Sequence, residues 1–324
     1  MMWTTAVGLR AALALAVTAF VAAGIGRAKA ADALRLAVGQ CGNWDSSQVE
    51  LGQRTGFYAK HGVEIEALCT QGTGETQQAV ISGSADIGIG VGTLGALGAF
   101  AKGAPVRIIS GSATGNADCW IVKADSPLKS IADATADNTV AYSTNGSSSH
   151  ATVLGFIREL GLKARPVATG GPAATLTLLM SGQVDIGWTS PPLGFDLIDA
   201  GKIRIFARAN DVPSLRGQTI RVNVANAESL KDHRDVFVRF MQAFRETTDW
   251  MYADPQALAV YADYRKTSLR NAARMRDEFF SRAAVEPDSV KGLDALMADA
   301  VKYKYMERPL TDAEVAEFVQ VPLR

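Results

Sequence analysis

Two hydrophobic periods alternate along the chain. Short apolar runs occupy residues 34–38, 63–68, 86–89 and 106–109, and such runs read as buried strands. Stretches with helical spacing separate them. One ends at Lys60-His61-Gly62, where Gly62 suits the left-handed stop position; others cover about 74–81 and 93–101. A second series follows, with strands near 139–142, 165–167, 185–188 and 203–207 and helices between. Strands alternating with helices predict two α/β lobes on parallel sheets covered on both faces. Residues 119–123 and 219–225 are extended, flank the second series, and read as crossings between lobes. Beyond 225 the pattern is helical, notably at 232–253, and this part is expected to pack back on the first lobe. Thr311 with Glu314 three residues on opens a last short helix as a capping box. The division that results is 31–118 with 219–324 for lobe I, and 119–218 for lobe II.

An internal repeat supports two equivalent lobes. At a constant offset of 99, Gly72 meets Gly171, Thr76 meets Thr175, Ser82-Gly83 meets Ser181-Gly182, and Asp86-Ile87-Gly88 meets Asp185-Ile186-Gly187. Two copies at a long period point to duplication, since solenoid repeats are shorter and more numerous.

The first thirty residues set the compartment. Arg10 precedes an apolar run from Ala11 to Ile25, and Ala28-Lys29-Ala30 offers the small-x-small pattern of a signal-peptide cleavage site. The run is too short for a bilayer span of about 20 residues, so the expectation is a cleaved leader, 1–30, and a periplasmic mature chain. Cleavage removes Arg10, Arg27 and Lys29 and no acid, so the 33 bases become 30 against 33 acids. That near-neutral, scattered charge gives no footprint for nucleic acid or an anionic membrane. Of three cysteines, Cys41 and Cys69 each end a predicted strand and can be bridged if those strands are neighbours; the alternative is three buried thiols.

Several stretches then resemble the periplasmic solute-binding proteins of ABC importers, in the nitrate, sulfonate and taurine group that also holds thiamine-pyrimidine precursor proteins. They are Gly56-Phe57-Tyr58-Ala59-Lys60-His61-Gly62, Ser82-Gly83-Ser84-Ala85-Asp86-Ile87-Gly88, Lys102-Gly103-Ala104-Pro105-Val106, Asp125-Ser126-Pro127 with Ser130-Ile131-Ala132-Asp133, and Gly146-Ser147-Ser148-Ser149-His150. The resemblance implies a type II periplasmic-binding-protein fold: two Rossmann-like lobes, two crossover strands and a ligand cleft between them. It implies delivery of ligand to a membrane permease driven by an ATPase. One departure is the loop Gln40-Cys41-Gly42-Asn43-Trp44-Asp45, where many relatives have a different, often Pro-containing sequence.

In open α/β sheets ligands bind beyond the carboxyl ends of strands, near helix N-termini. That rule excludes Asp86 and Asp185, which begin strands and are expected to cap the helix-to-strand turns at Ser-Gly. It selects Asn145, Ser147 and Ser148 at the mouth of a helix, where N–H groups and hydroxyls suit an oxyanion; ordinary N-capping is the alternative. His150, one step inside, reads as a packing or hydrogen-bonding residue. Gly72, Thr73 and Gly74 are the first-lobe counterpart, with Glu75 either holding a cationic group or offsetting the helix dipole. Gly92 and Thr93 are expected to face Thr189 and Ser190 across the cleft. Asn43 and Trp44 lie in the loop after the first strand, and Trp188 precedes Thr189; each Trp either stacks on a planar ligand or packs between helix and sheet. Asn116, with Asp118, sits beside the first crossing.

No GxSxG elbow or GxxxxGK[ST] loop is present, no well-placed GxGxxG follows the first strand, and His61, His150 and His233 do not cluster. The sequence therefore reads as a monomeric binder of a small anionic or planar solute, without cofactor or metal and not as an enzyme. The competing classes are a pyrimidine-precursor synthase and a sensor that presents its ligand to a membrane receptor.

Overall fold

The computed structural model describes residues 32–324; the leader expected at 1–30 lies outside them. Among the described residues ten strands form the framework: β1 Asp32–Gly39, β2 Val63–Thr70, β3 Ile87–Gly92, β4 Val106–Thr114, β5 Cys119–Lys123, β6 Thr139–Tyr142, β7 Arg165–Ala168, β8 Gly187–Thr189, β9 Ile203–Arg208 and β10 Thr219–Asn226. The first sheet has the order β2-β1-β3-β10-β4. In the second, β8-β5-β9 is extended by β6-β7 through a parallel bridge between Val140 and Ile186, giving β7-β6-β8-β5-β9. The two orders match strand for strand, with β10 and β5 in equivalent places.

Each sheet departs from the all-parallel expectation at one strand. β10 runs antiparallel to both β3 and β4, and β5 runs antiparallel to both β8 and β9. These two segments, read from the sequence as crossings, are interior strands. The connections themselves are the short loops after β4 and β9. Each antiparallel strand enters its sheet from the other lobe, so its direction is reversed relative to strands supplied through helical crossovers.

The repeat has a physical basis in the packing of helix on strand. Thr76 Oγ1 donates to Gly72 O at 3.0 Å and lies 2.6 Å from Thr70 Oγ1; Thr175 Oγ1 donates to Gly171 O at 3.1 Å and lies 2.6 Å from Thr169 Oγ1. A Cβ at Gly88 would lie 2.9 Å from Val80 Cγ2, and one at Gly187 3.2 Å from Leu179 Cδ2. Glycine there lets the helix press onto the strand.

The repeated acids do something other than cap the Ser-Gly turns. Asp86 accepts from Arg35 N at 2.8 Å and from the Arg35 guanidinium at 2.9 and 3.1 Å, and from Ser229 Oγ at 2.9 Å. Asp185 accepts from Thr139 N and Oγ1, both at 2.8 Å. Both carboxylates thus clamp the start of the neighbouring strand, at the end of the sheet away from the strand tips.

The C-terminal helices pack mainly on the first lobe. The Arg234–Ala253 helix turns Val236, Phe237, Phe240, Met241 and Phe244, spaced three and four apart, into the core with Leu36, Val38 and Ile65. Truncating the fully buried Phe240 to Ala would cost about 3–5 kcal/mol. The Leu269–Phe279 helix instead reaches the second lobe, where Arg274 bonds Asp199 at 3.0 Å and lies 4.3 Å from the Phe195 ring centre.

Candidate functional site

The tips of the parallel strands of the two sheets face each other at close range, and glycine makes this approach possible. A Cβ at Gly92 would lie 2.3 Å from Gly146 O, one at Gly72 2.6 Å from Ser143 Oγ, and one at Gly171 3.2 Å from Gln71 O. Gly95 N donates to Gly146 O at 3.1 Å. Gly92 therefore meets the Gly146-Ser147 turn and not, as expected, Thr189-Ser190. Beside these contacts His150 Nδ1 lies 2.7 Å from Tyr305 Oη and accepts from Gly146 N at 3.3 Å. Burial lowers the His150 pKa to about 4, so the ring is neutral and serves as an acceptor at Nδ1.

A cleft of about 260 Å³ opens next to these contacts, lined by Gln40, Asn43, Gln71, Pro172, Ser190 and Arg265 among others. Cys41 and Cys69 border it and are joined by a disulfide across adjacent ends of β1 and β2. A larger groove of about 710 Å³ runs past Lys102, Tyr305 and Arg308, but no unpartnered buried polar atom lines it among the described residues.

Three charged side chains, none of them on that cleft's lining, are almost fully buried. Asp45 and Asp118 are 1% exposed and flank Arg221. Arg221 NH1 lies 3.3 Å from Asp45 Oδ2, and NH2 lies 3.7 Å from Asp118 Oδ1. The second of these is too long for a hydrogen bond. All four carboxylate oxygens and Arg221 Nε lack a hydrogen-bond partner among the described residues, as do Ser143 Oγ, Trp188 Nε1 and Ser190 Oγ. These groups share the strand tips. Arg221 pairs with Gly92 and Ala113 in the first sheet, Ser112 Oγ donates to Asp45 O at 3.3 Å, and Asp118 precedes and Ser190 follows the Cys119–Thr189 pair by one residue. Burial pushes the Asp45 carboxyl up, opposed by Arg221 and reinforced by Asp118. For Arg221 burial acts downwards, but the two acids outweigh it and the guanidinium stays charged.

Other candidates sort by where their polar atoms go. Ser147 Oγ accepts from His150 N at 3.1 Å, which is N-capping, and the Ser148 backbone begins the helix. Asn145 is exposed, and its Oδ1 accepts from Tyr142 Oη at 2.8 Å. Thr73 Oγ1 accepts from Gly92 N, while Thr93 Oγ1 donates to Thr219 O and Thr189 Oγ1 to Leu193 O. Gly74 abuts Thr144, and Glu75 accepts from Gln71 N at 2.9 Å beside its own helix. Asn116 is a junction, bonding Thr152 Oγ1 and accepting from Asp118 N and Arg221 NH2. Asn43 lines the cleft, with Nδ2 donating to Gln40 Oε1. Trp44 does not reach it. Its indole is fully buried among Tyr252, Tyr261 and Met251, and Nε1 donates to Tyr252 Oη at 2.9 Å. Trp188 is fully buried in the second core, its Nε1 unpartnered.

Sequence reasoning missed Arg221, Arg265 and Asp45. Arg221 carried a signal: it is a lone base in an otherwise uncharged strand whose eight residues are all buried.

Architecture and strand tips together define a periplasmic-binding-protein fold of the two-lobed type. Solved structures with that fold include the alkanesulfonate-binding protein SsuA of Xanthomonas axonopodis pv. citri bound to MOPS, with a TM-score of 0.71 at 20% identity over 89% of this chain and 97% of that one. The aliphatic sulphonate-binding SsuA of Escherichia coli gives 0.69 at 19% identity over 90% and 99%. The nitrate-binding NrtA of Synechocystis PCC 6803 gives 0.65 at 15% over 88% and 84%. The NMT1/THI5-like family model matches residues 43–258, and the chain belongs to that family. No curated protein sequence matches it significantly.

Proposed function

We propose that this chain is the periplasmic substrate-binding component of an ABC importer, capturing a small organic solute between its lobes and delivering it to a membrane permease. The observation that carries the reading is the gathering of unpartnered, buried polar atoms from both lobes at one set of strand tips, next to a cleft of about 260 Å³. Buried polar groups are ordinarily paired, and a solute with complementary donors and acceptors would pair these. Family membership and the kinship of fold with sulfonate- and nitrate-binding periplasmic proteins support the same conclusion. Closure about the loops after β4 and β9 would bury the solute, and the closed form is what the permease recognises.

The test combines thermal shift over a broad panel of small solutes with small-angle scattering. A true ligand stabilises by linkage, about 2.7 kcal/mol at a hundredfold excess over Kd, and compacts the protein. A panel spanning organic anions, cations and neutral heterocycles that gives neither effect sinks the proposal.

A further inference from the structure

We propose that the solute carries a cationic or amidine-like head rich in N–H donors, received by Asp45 and Asp118 beside Arg221. This rests on the binding-protein reading above and adds the chemical class of the ligand. Two carboxyl groups bracket one guanidinium, so with both acids ionised the buried group is one negative charge in excess. An uncompensated buried charge is expensive, and a carboxylate offers about four acceptor sites. Here the four oxygens have no hydrogen-bond partner among the described residues. A purely structural triad would use the arginine to satisfy them, yet the separations of 3.3 and 3.7 Å leave them unsatisfied.

Independent evidence comes from the other lobe. Ser190 Oγ and Ser143 Oγ, one residue beyond β8 and β6, are buried and without a hydrogen-bond partner among the described residues, and Ser190 also lines the cleft. A structural triad centred on Arg221 does not account for them. An anion at this point would meet two carboxylates, and the one arginine present is already between them. At the Ser147 helix mouth two N–H donors are already used: His150 N–H donates to Ser147 Oγ and Gly146 N–H to His150 Nδ1. Arg265 is the basic side chain on the cleft lining.

The experiment is a thermal-shift and calorimetric comparison of probes with one body and different heads: benzamidinium and benzylammonium against benzoate and benzenesulfonate. It uses the wild-type protein, Asp118→Asn and Asp45→Asn. The expected result is stabilisation by the cations and not the anions, weakened at least tenfold in either variant. The unliganded variants should melt no lower than wild type, because each loses an uncompensated buried charge. Binding of the anions alone overturns the cation assignment and leaves the binding-protein reading standing. Lower melting of both unliganded variants makes the triad structural and overturns the assignment as well. No binding by either set, together with no compaction by any solute in the broad panel, overturns both readings.

Discussion

Gly92 and Gly146 meet backbone to backbone: a Cβ on Gly92 would lie 2.3 Å from the Gly146 carbonyl oxygen and 2.8 Å from Ser147 Cα. No side-chain end can swing aside at that point, so a methyl group holds the lobes apart. Gly92 itself has φ −64° and ψ 128°, which alanine adopts without strain. Gly92→Ala should therefore leave stability within about 1 kcal/mol while weakening solute binding at least tenfold. Small-angle scattering should show a larger radius of gyration than wild type. An unchanged radius and affinity would mean that this contact does not govern closure.

His150 makes the protein sensitive to mild acid. Its folded pKa is about 4 against an ordinary 6.5, so the unfolded chain takes up a proton first. The stabilising contribution is complete above pH 6.5 and is lost as pH falls towards 4. The full effect is at most about 3 kcal/mol, reduced by solvent at the half-buried ring. Protonation also turns the Nδ1 acceptor into a donor, which ejects Gly146 N–H. Denaturant melts across this pH range should show the slope in wild type and lose it in His150→Gln.

The Cys41–Cys69 bridge closes a segment of 28 residues that includes all of the first helical crossover. Chain entropy gives about 3–4 kcal/mol for a loop of that size. The double variant Cys41→Ser/Cys69→Ser should melt at correspondingly lower denaturant. Because the bridge also borders the cleft, its loss should reduce solute affinity too; calorimetry on both forms separates the two effects.

Trp44 donates to Tyr252 Oη, which in turn donates to Phe280 O at 2.7 Å. Trp44→Phe breaks that relay and leaves space behind the smaller ring. The expected cost is about 1–3 kcal/mol of stability, with solute affinity unchanged within twofold. A large fall in affinity with stability intact would put the indole against the ligand.

Local pattern was enough for the alternation of strand and helix and for the duplicated halves. It failed where a residue's role depends on partners far away in sequence. The direction of β5 and β10 follows from which lobe each arrives from, and no local period encodes that. Trp44 sits in a polar loop, but its surroundings come from Tyr252 and Tyr261, some two hundred residues on. Asp45, Asp118 and Arg221 belong to three separate segments, and only folding reveals that two acids share one base. At Ser147 the sequence favours ligand contact, with N-capping as the alternative, and only the fold shows that Gly146 is covered by Gly92 and Gly95.

The position of β10 has a consequence for how the molecule is made. β4 is an edge strand whose hydrogen-bonded sheet neighbour is β10, and β10 is synthesised more than a hundred residues later. A growing chain can assemble β2-β1-β3 early, but β4 must wait unpaired while the whole second sheet, contiguous in sequence, is completed. The second lobe is thus the first that can be completed, and the strand that follows it seals the first.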